Sequence, residues 1–169
     1  VSLIKRLYME LSANYILKVA VFDNLARFPK GCAYSEDASS GAFLIIPASE
    51  IMPPFPQGGN AFTDWLAQAP KTWADRLRKS QNTRVQAWLP KAVDAVNAGE
   101  FASVFVPRAV FGWFIEDLVG TEIAMAEDEG YATVEVLPHE VQRVVQNTET
   151  DRLILSTDSG ATYLTTRLI

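Results

Sequence analysis

The sequence predicts an α+β fold: several helices, one of them buried and central near residues 107–129, packed on a small, mainly antiparallel sheet with a C-terminal hairpin. Three observations predict it. Residues 109–126 are apolar nearly all round a helical wheel, which marks a helix enclosed by other elements. Residues 152–157 and 161–169 flank Asp158-Ser159-Gly160, a hairpin-turn sequence. Helical and extended patterns do not alternate regularly along the chain, which argues against a doubly wound parallel sheet.

The length of 169 residues is the usual size of one domain, so residues 1–169 are read as a single domain able to bury a core without disulfide or metal staples. Hydrophobic residues make up 49% of the chain and charged ones 21%, a balance that excludes global disorder.

Taken in order, residues 2–28 carry Ile4, Tyr8, Leu11, Tyr15, Val19, Phe22 and Ala26 at steps of four and three, the spacing of one helix. A rival reading breaks it at Asn14 and makes residues 15–22 a strand. Residues 32–36 and 42–46 read as strands about a polar turn, the second central because Phe43-Leu44-Ile45-Ile46 is continuously apolar. Residues 53–59, with three prolines and two glycines, are a stiff surface loop carrying Phe55. Asn60 caps a helix with Phe62, Trp65 and Leu66 on one face, and Thr72 and Asp75 have capping-box spacing. Residues 83–98 are the next helix, which Pro90 is expected to kink or split and Gly99 to end. Residues 101–106 read as a short strand, Pro107 as the first residue of the central helix, and Gly112 and Gly120 as points of close packing. Gly130 ends that helix. Residues 131–137 alternate as a strand, and residues 138–146 read as a short helix.

Familiar catalytic equipment is missing. One histidine, His139, and one cysteine, Cys32, leave a thiol–imidazole pair only if the fold brings them together, and they are too few for a zinc site. Glu127-Asp128-Glu129 lacks the alternating oxygens and central glycine of a calcium loop. Gly58-Gly59-Asn60 precedes a helix, but no strand leads into it and no Lys-Ser/Thr follows, so it is no phosphate loop. No metal and no cofactor is expected. If the chain is an enzyme, Glu116, Asp117 and Glu122 are its candidate acids and bases, because a carboxylate inside an apolar helix is either paired or raised in pKa; Arg108 is the basic residue at hand to pair with them.

Charge is segregated. Lys71, Arg76, Arg78, Lys79, Arg84 and Lys91 form a basic stretch opposed only by Asp75, while Glu116, Asp117, Glu122, Glu127, Asp128 and Glu129 form an acidic one; net charge is −5. Two such blocks either face each other or steer a charged partner. The expected function is a non-catalytic protein–protein interaction protein: an adaptor, an inhibitor or neutraliser, or a chaperone-like factor. Its partner is another protein, met by Lys71, Arg76, Arg78, Lys79, Arg84, Glu127, Asp128, Glu129 and Phe55. The alternatives are a carboxylate-based enzyme, perhaps dependent on a divalent metal, and a nucleic-acid binder acting through residues 71–91, which the acidic balance disfavours. No run of 18 residues is free of charge, so no membrane span is expected, nor is a signal peptide; the lone thiol points to a reducing compartment and a cytoplasmic protein.

Overall fold

A computed structural model describes residues 8–9, 16–35, 41–51, 60–68 and 70–168. Its elements are β1 (Leu17–Phe22), α1 (Gly31–Tyr34), α2 (Ala61–Gln68), α3 (Pro70–Arg78), α4 (Thr83–Asn97), α5 (Arg108–Asp128), β2 (Ala132–Leu137), β3 (Val141–Asn147), β4 (Arg152–Thr157) and β5 (Thr162–Thr165). The fold is α+β: helices, a three-stranded antiparallel sheet in the order β3-β4-β5 ending in the C-terminal hairpin, and a parallel pair of β1 and β2.

The helices share one core. Phe62, Leu66, Trp73, Val85 and Val110 are fully enclosed on the apolar faces of their helices, and Val104 and Val106, from the segment that leads into α5, are enclosed with them. Trp73 can be buried because its indole N–H donates to the Leu66 carbonyl at 3.1 Å. Phe62 lies among Trp65, Phe111 and Phe114, with ring centroids 5.1–6.2 Å away. The central helix, α5, runs 21 residues; Val110, Gly112 and Phe114 bury its first half, while Met125 near its end is exposed. Gly99 and Gly130 follow α4 and α5 at positive φ, as helix-ending glycines do.

Helix α4 opens on Asn82, whose Oδ1 accepts from the N–H groups of Arg84 and Val85 at 3.0 and 3.2 Å. Asn82→Ala is expected to lower stability by about 1 kcal/mol, the usual worth of such a cap, measured by denaturant unfolding. Pro90 does not split α4, which is continuous from Thr83 to Asn97. It sits on the exposed face, where water can satisfy the backbone that a proline leaves unbonded.

Six local expectations are corrected. Tyr8 and Met9 are helical, but residues 2–28 are not one helix, since Leu17–Phe22 is a strand. Parallel pairing with β2, Leu17 opposite Ala132 through Phe22 opposite Leu137, decides between two periods that the apolar residues fit about equally. Residues 32–34 lie in the short helix α1 rather than a strand; Glu36 lies outside the described residues. Residues 42–46 are not a central strand: Phe43 makes a single antiparallel bridge to Pro107 and Ile45 is 89% exposed. Residues 101–103 form a 3-10 turn, after which Val104 and Val106 accept from Ala48 and Leu44. Residues 141–147 are the strand β3 rather than a helix, because the β-branched Val141, Val144 and Val145 pair against β4 across a register shift. The Thr72–Asp75 capping box is also absent, since α3 already begins at Pro70 and Asp75 pairs with Arg78.

Candidate functional site

Strands β1 and β2 run in parallel, so their carboxyl ends open on the same side. Ligands of parallel sheets bind beyond such ends. The residue directly after β1 is Asp23. Its Oδ1 accepts from the Leu25 N–H at 3.1 Å, and its Oδ2 from those of Arg27 and Phe28. Partial burial pushes the Asp23 carboxyl up, but the N–H groups of Phe28, Leu25 and Arg27, with the Arg27 guanidinium charge, outweigh it and hold the carboxyl below its ordinary value of 3.8. Asp23 is therefore a fixed anion. A carboxylate offers roughly four acceptor positions, so Oδ1 keeps one for a further donor. Asp23 was not singled out from the sequence. The available signal was an acid closing the strand pattern of residues 17–22, hidden while those residues were read as helix.

The loop fixed by Asp23 leads into α1, which lies against α5. The Tyr34 carbonyl oxygen stands 2.2 Å from where a Cβ on Gly112 would be, so only glycine admits this approach. Farther along, Lys30, 9% exposed, pairs with Glu116 at 3.4 Å. At the near end, Ser35 Oγ and Arg108 Nε are buried without a hydrogen-bond partner.

A concavity, with a volume of about 350 Å³, is lined by Phe43, Leu44, Arg84, Trp88, Ser103 and Phe105. The Arg84 guanidinium lies 4.8 Å over the Phe43 ring, which meets Trp88 edge-on at 5.5 Å. The Phe43–Pro107 bridge joins this pocket to the start of α5.

The residues singled out from the sequence are dispersed. Glu116 is tied to Lys30, and Asp117 accepts from the Trp65 indole at 2.9 Å; Arg108, the expected partner of these acids, is in none of the described ion pairs. Glu122 is half-buried on the same helix, and Glu127 accepts from the Val134 N–H at 3.4 Å. Arg76 lies 5.1 Å over Trp113, Arg78 pairs with Asp75, and Lys79, Asp128 and Glu129 are exposed. Lys71 lies in α3 by its backbone, and Phe55, with the loop of residues 53–59, lies outside the described residues. The described ion pairs do not join the basic stretch to the acidic one. Cys32 and His139 are engaged apart, the thiol by Arg27 Nη1 at 2.9 Å and the imidazole by Asp158 at 3.5 Å. Among the described residues no group of His, Cys, Asp and Glu is placed to hold a metal ion, and no helix is long and apolar enough to cross a membrane.

Residues 1–169 match the family described as FAD-NAD(P)-binding. The chain belongs to the FAD-NAD(P)-binding family. No curated protein matches it. Membership in the FAD-NAD(P)-binding family overturns the expectation of a non-catalytic protein–protein interaction protein, and with it a protein as the principal partner. The family points to a nucleotide cofactor and to redox chemistry. Segregated charge misled because solvated helix faces and paired side chains produce the same pattern in a sequence as a docking surface does.

The residues present fit parts of such a cofactor. Asp23 at the carboxyl end of a parallel strand suits a ribose diol, which needs an acceptor that stays ionised. The aromatic walls around Phe43, Trp88 and Phe105 suit a planar ring. Within the 169 residues glycines nowhere stand at Gly-x-Gly-x-x-Gly spacing, so none of these residues forms the glycine-rich phosphate turn of the common dinucleotide fingerprint.

Proposed function

We propose that the chain is a dinucleotide-binding unit of a redox enzyme, taking FAD or NAD(P). The observation that carries this is the family match over residues 1–169. The parallel pair supports it, with Asp23 to accept from the ribose hydroxyls and the Phe43–Trp88 pocket to receive a ring of the cofactor. Such a cofactor supplies hydride or electron transfer; the chain's own part is to hold and orient it. Glu116, Asp117 and Glu122 stay as candidate acids and bases in this reading, the first two with ties to Lys30 and Trp65. Residues 1–169 acting as one domain belongs to the same proposal, as does a cytoplasmic place, supported by a single exposed thiol.

Calorimetric titration of the full chain with FAD, NAD and NADP tests the proposal. One of the three is expected to bind saturably and to raise the melting temperature as its concentration passes the dissociation constant. Absence of binding by all three at millimolar concentration overturns it.

A further inference from the structure

Arg84 and Trp88 stand four residues apart on α4, so their side chains share one flank of that helix. Its inner face, with Val85, Leu89 and Ala92, goes to the core. The flank opens on the pocket of about 350 Å³. Phe43, Leu44 and Trp88 are half-buried there and pack on the core, whereas Arg84, Ser103 and Phe105 are exposed. The pocket is therefore apolar on its buried side, and its solvent side carries a cation, a hydroxyl and a ring.

The cation has no anionic partner. Among the described residues no carboxylate pairs with Arg84, and its guanidinium makes no hydrogen bond. The first turn of α4 holds no acid to neutralise it. The guanidinium is held in place instead by the Phe43 ring, 4.8 Å below it. A guanidinium against a ring uses its flat face and keeps its N–H edges for an anion. Ser103 Oγ donates to the Glu100 carbonyl at 2.8 Å, so its proton is committed and its lone pairs are left for a donor.

We propose that this pocket binds a mononucleotide group, with the base against Trp88 and Phe105 and the phosphate on Arg84. Aromatic walls take a planar ring by stacked or edge contacts. An unpaired guanidinium beside them takes the anion attached to that ring, and phosphate suits its forked donors. A hydroxyl left to accept suits a base amino group or a sugar hydroxyl. The volume lies at the low end for ligand pockets, so it takes one half of a dinucleotide and leaves the other half outside. That the mononucleotide is half of FAD or NAD(P) rests on the function proposed above. Arg84 is then the residue that selects a phosphorylated ring over the bare nucleoside.

Calorimetric titration of the full chain, Arg84→Met and Phe105→Ala tests the site. The probes are the adenosine, nicotinamide and flavin mononucleotides, each compared with its dephosphorylated form. At least one mononucleotide is expected to bind the parent chain about fivefold or more tighter than its dephosphorylated form, the effect of a charge-assisted hydrogen bond discounted for an exposed arginine. Arg84→Met is expected to abolish that difference and to leave the dephosphorylated form bound as before. Phe105→Ala is expected to weaken both forms alike. Both side chains are exposed, so both variants are expected to keep the fold. No binding of any mononucleotide at millimolar concentration, or equal binding by the parent and Arg84→Met, overturns the site. Benzoate bound as tightly as the mononucleotide overturns the nucleotide as occupant in favour of an aromatic acid. FAD or NAD(P) bound equally by all three chains overturns the pocket and leaves the cofactor reading standing. A mononucleotide preference lost in Arg84→Met, in a chain that binds neither FAD nor NAD(P), supports the pocket and overturns the cofactor reading.

Discussion

Replacing Gly112 by alanine is expected to destabilise the protein, and the same replacement at Gly120, two turns along the same helix, to stabilise it. Helix propensity alone gives both changes the same sign, since glycine inside a helix is less favourable than alanine by about 1 kcal/mol. The neighbours separate them. A Cβ on Gly112 would meet the Tyr34 carbonyl oxygen at 2.2 Å and its carbon at 3.1 Å, atoms of a backbone and not of a flexible side-chain end. Relief requires α1 to move off α5, which strains the Tyr34–Phe111 ring contact and the Lys30–Glu116 pair together. Overpacking of this kind costs about 1–3 kcal/mol or more. At Gly120 nothing lies within 4 Å of the same position, so Gly120→Ala is expected to gain about 0.5–1 kcal/mol. Urea unfolding of the two variants measures both signs, and a stabilised Gly112→Ala variant would show that α1 does not dock as described.

Replacing Asp23 by alanine is expected to weaken FAD or NAD(P) binding about tenfold or more, as loss of a hydrogen bond to a charged group does. It also removes the acceptor of the Leu25, Arg27 and Phe28 N–H groups, so the melting temperature is expected to fall as the loop loses its fixed shape. The pH dependence distinguishes Asp23 from other residues. Its folded pKa lies below the ordinary 3.8, so the folded state holds this proton less tightly than the unfolded chain does. The stabilisation from Asp23 is therefore complete above that ordinary value and is lost as pH falls through the lower folded value. Thermal unfolding of the parent chain and Asp23→Asn from neutral pH into the acid range should show a shallower acid loss in the variant. Identical acid slopes would remove Asp23 from the account of the loop.

Much of the fold was legible because it rests on local rules. The helix cores at Phe62–Leu66 and Val85–Val96 follow the spacing of apolar side chains, Gly99 and Gly130 end helices, and the hairpin turns at Asp158-Ser159-Gly160. The errors fall where two local patterns fit the same residues. Residues 17–22 and 141–147 carry spacings that admit a helix as well as a strand, and only pairing with residues 132–137 and 152–157 settled them. The first pairing is long-range and leaves no trace in a short window of sequence, while the second is a hairpin between neighbouring strands whose turn at residues 148–151 the helical spacing of residues 138–146 concealed. Phe43-Leu44-Ile45-Ile46 misled differently: continuous apolarity implies burial on both faces, yet Phe43 and Leu44 pack on the helices while Ile45 faces outward.

The amino-acid sequence by itself determined the α+β class, the helices at the core and the C-terminal hairpin. Those depend on residue type and spacing within single elements. Only the tertiary structure decided that β1 and β2 lie parallel with Asp23 at their carboxyl end, and that Gly112 and not Gly120 is needed for packing. Each of these joins residues far apart in the chain. The physical reason is the same throughout: propensity and periodicity act between neighbours in sequence, whereas a site is made by groups whose partners are set by packing.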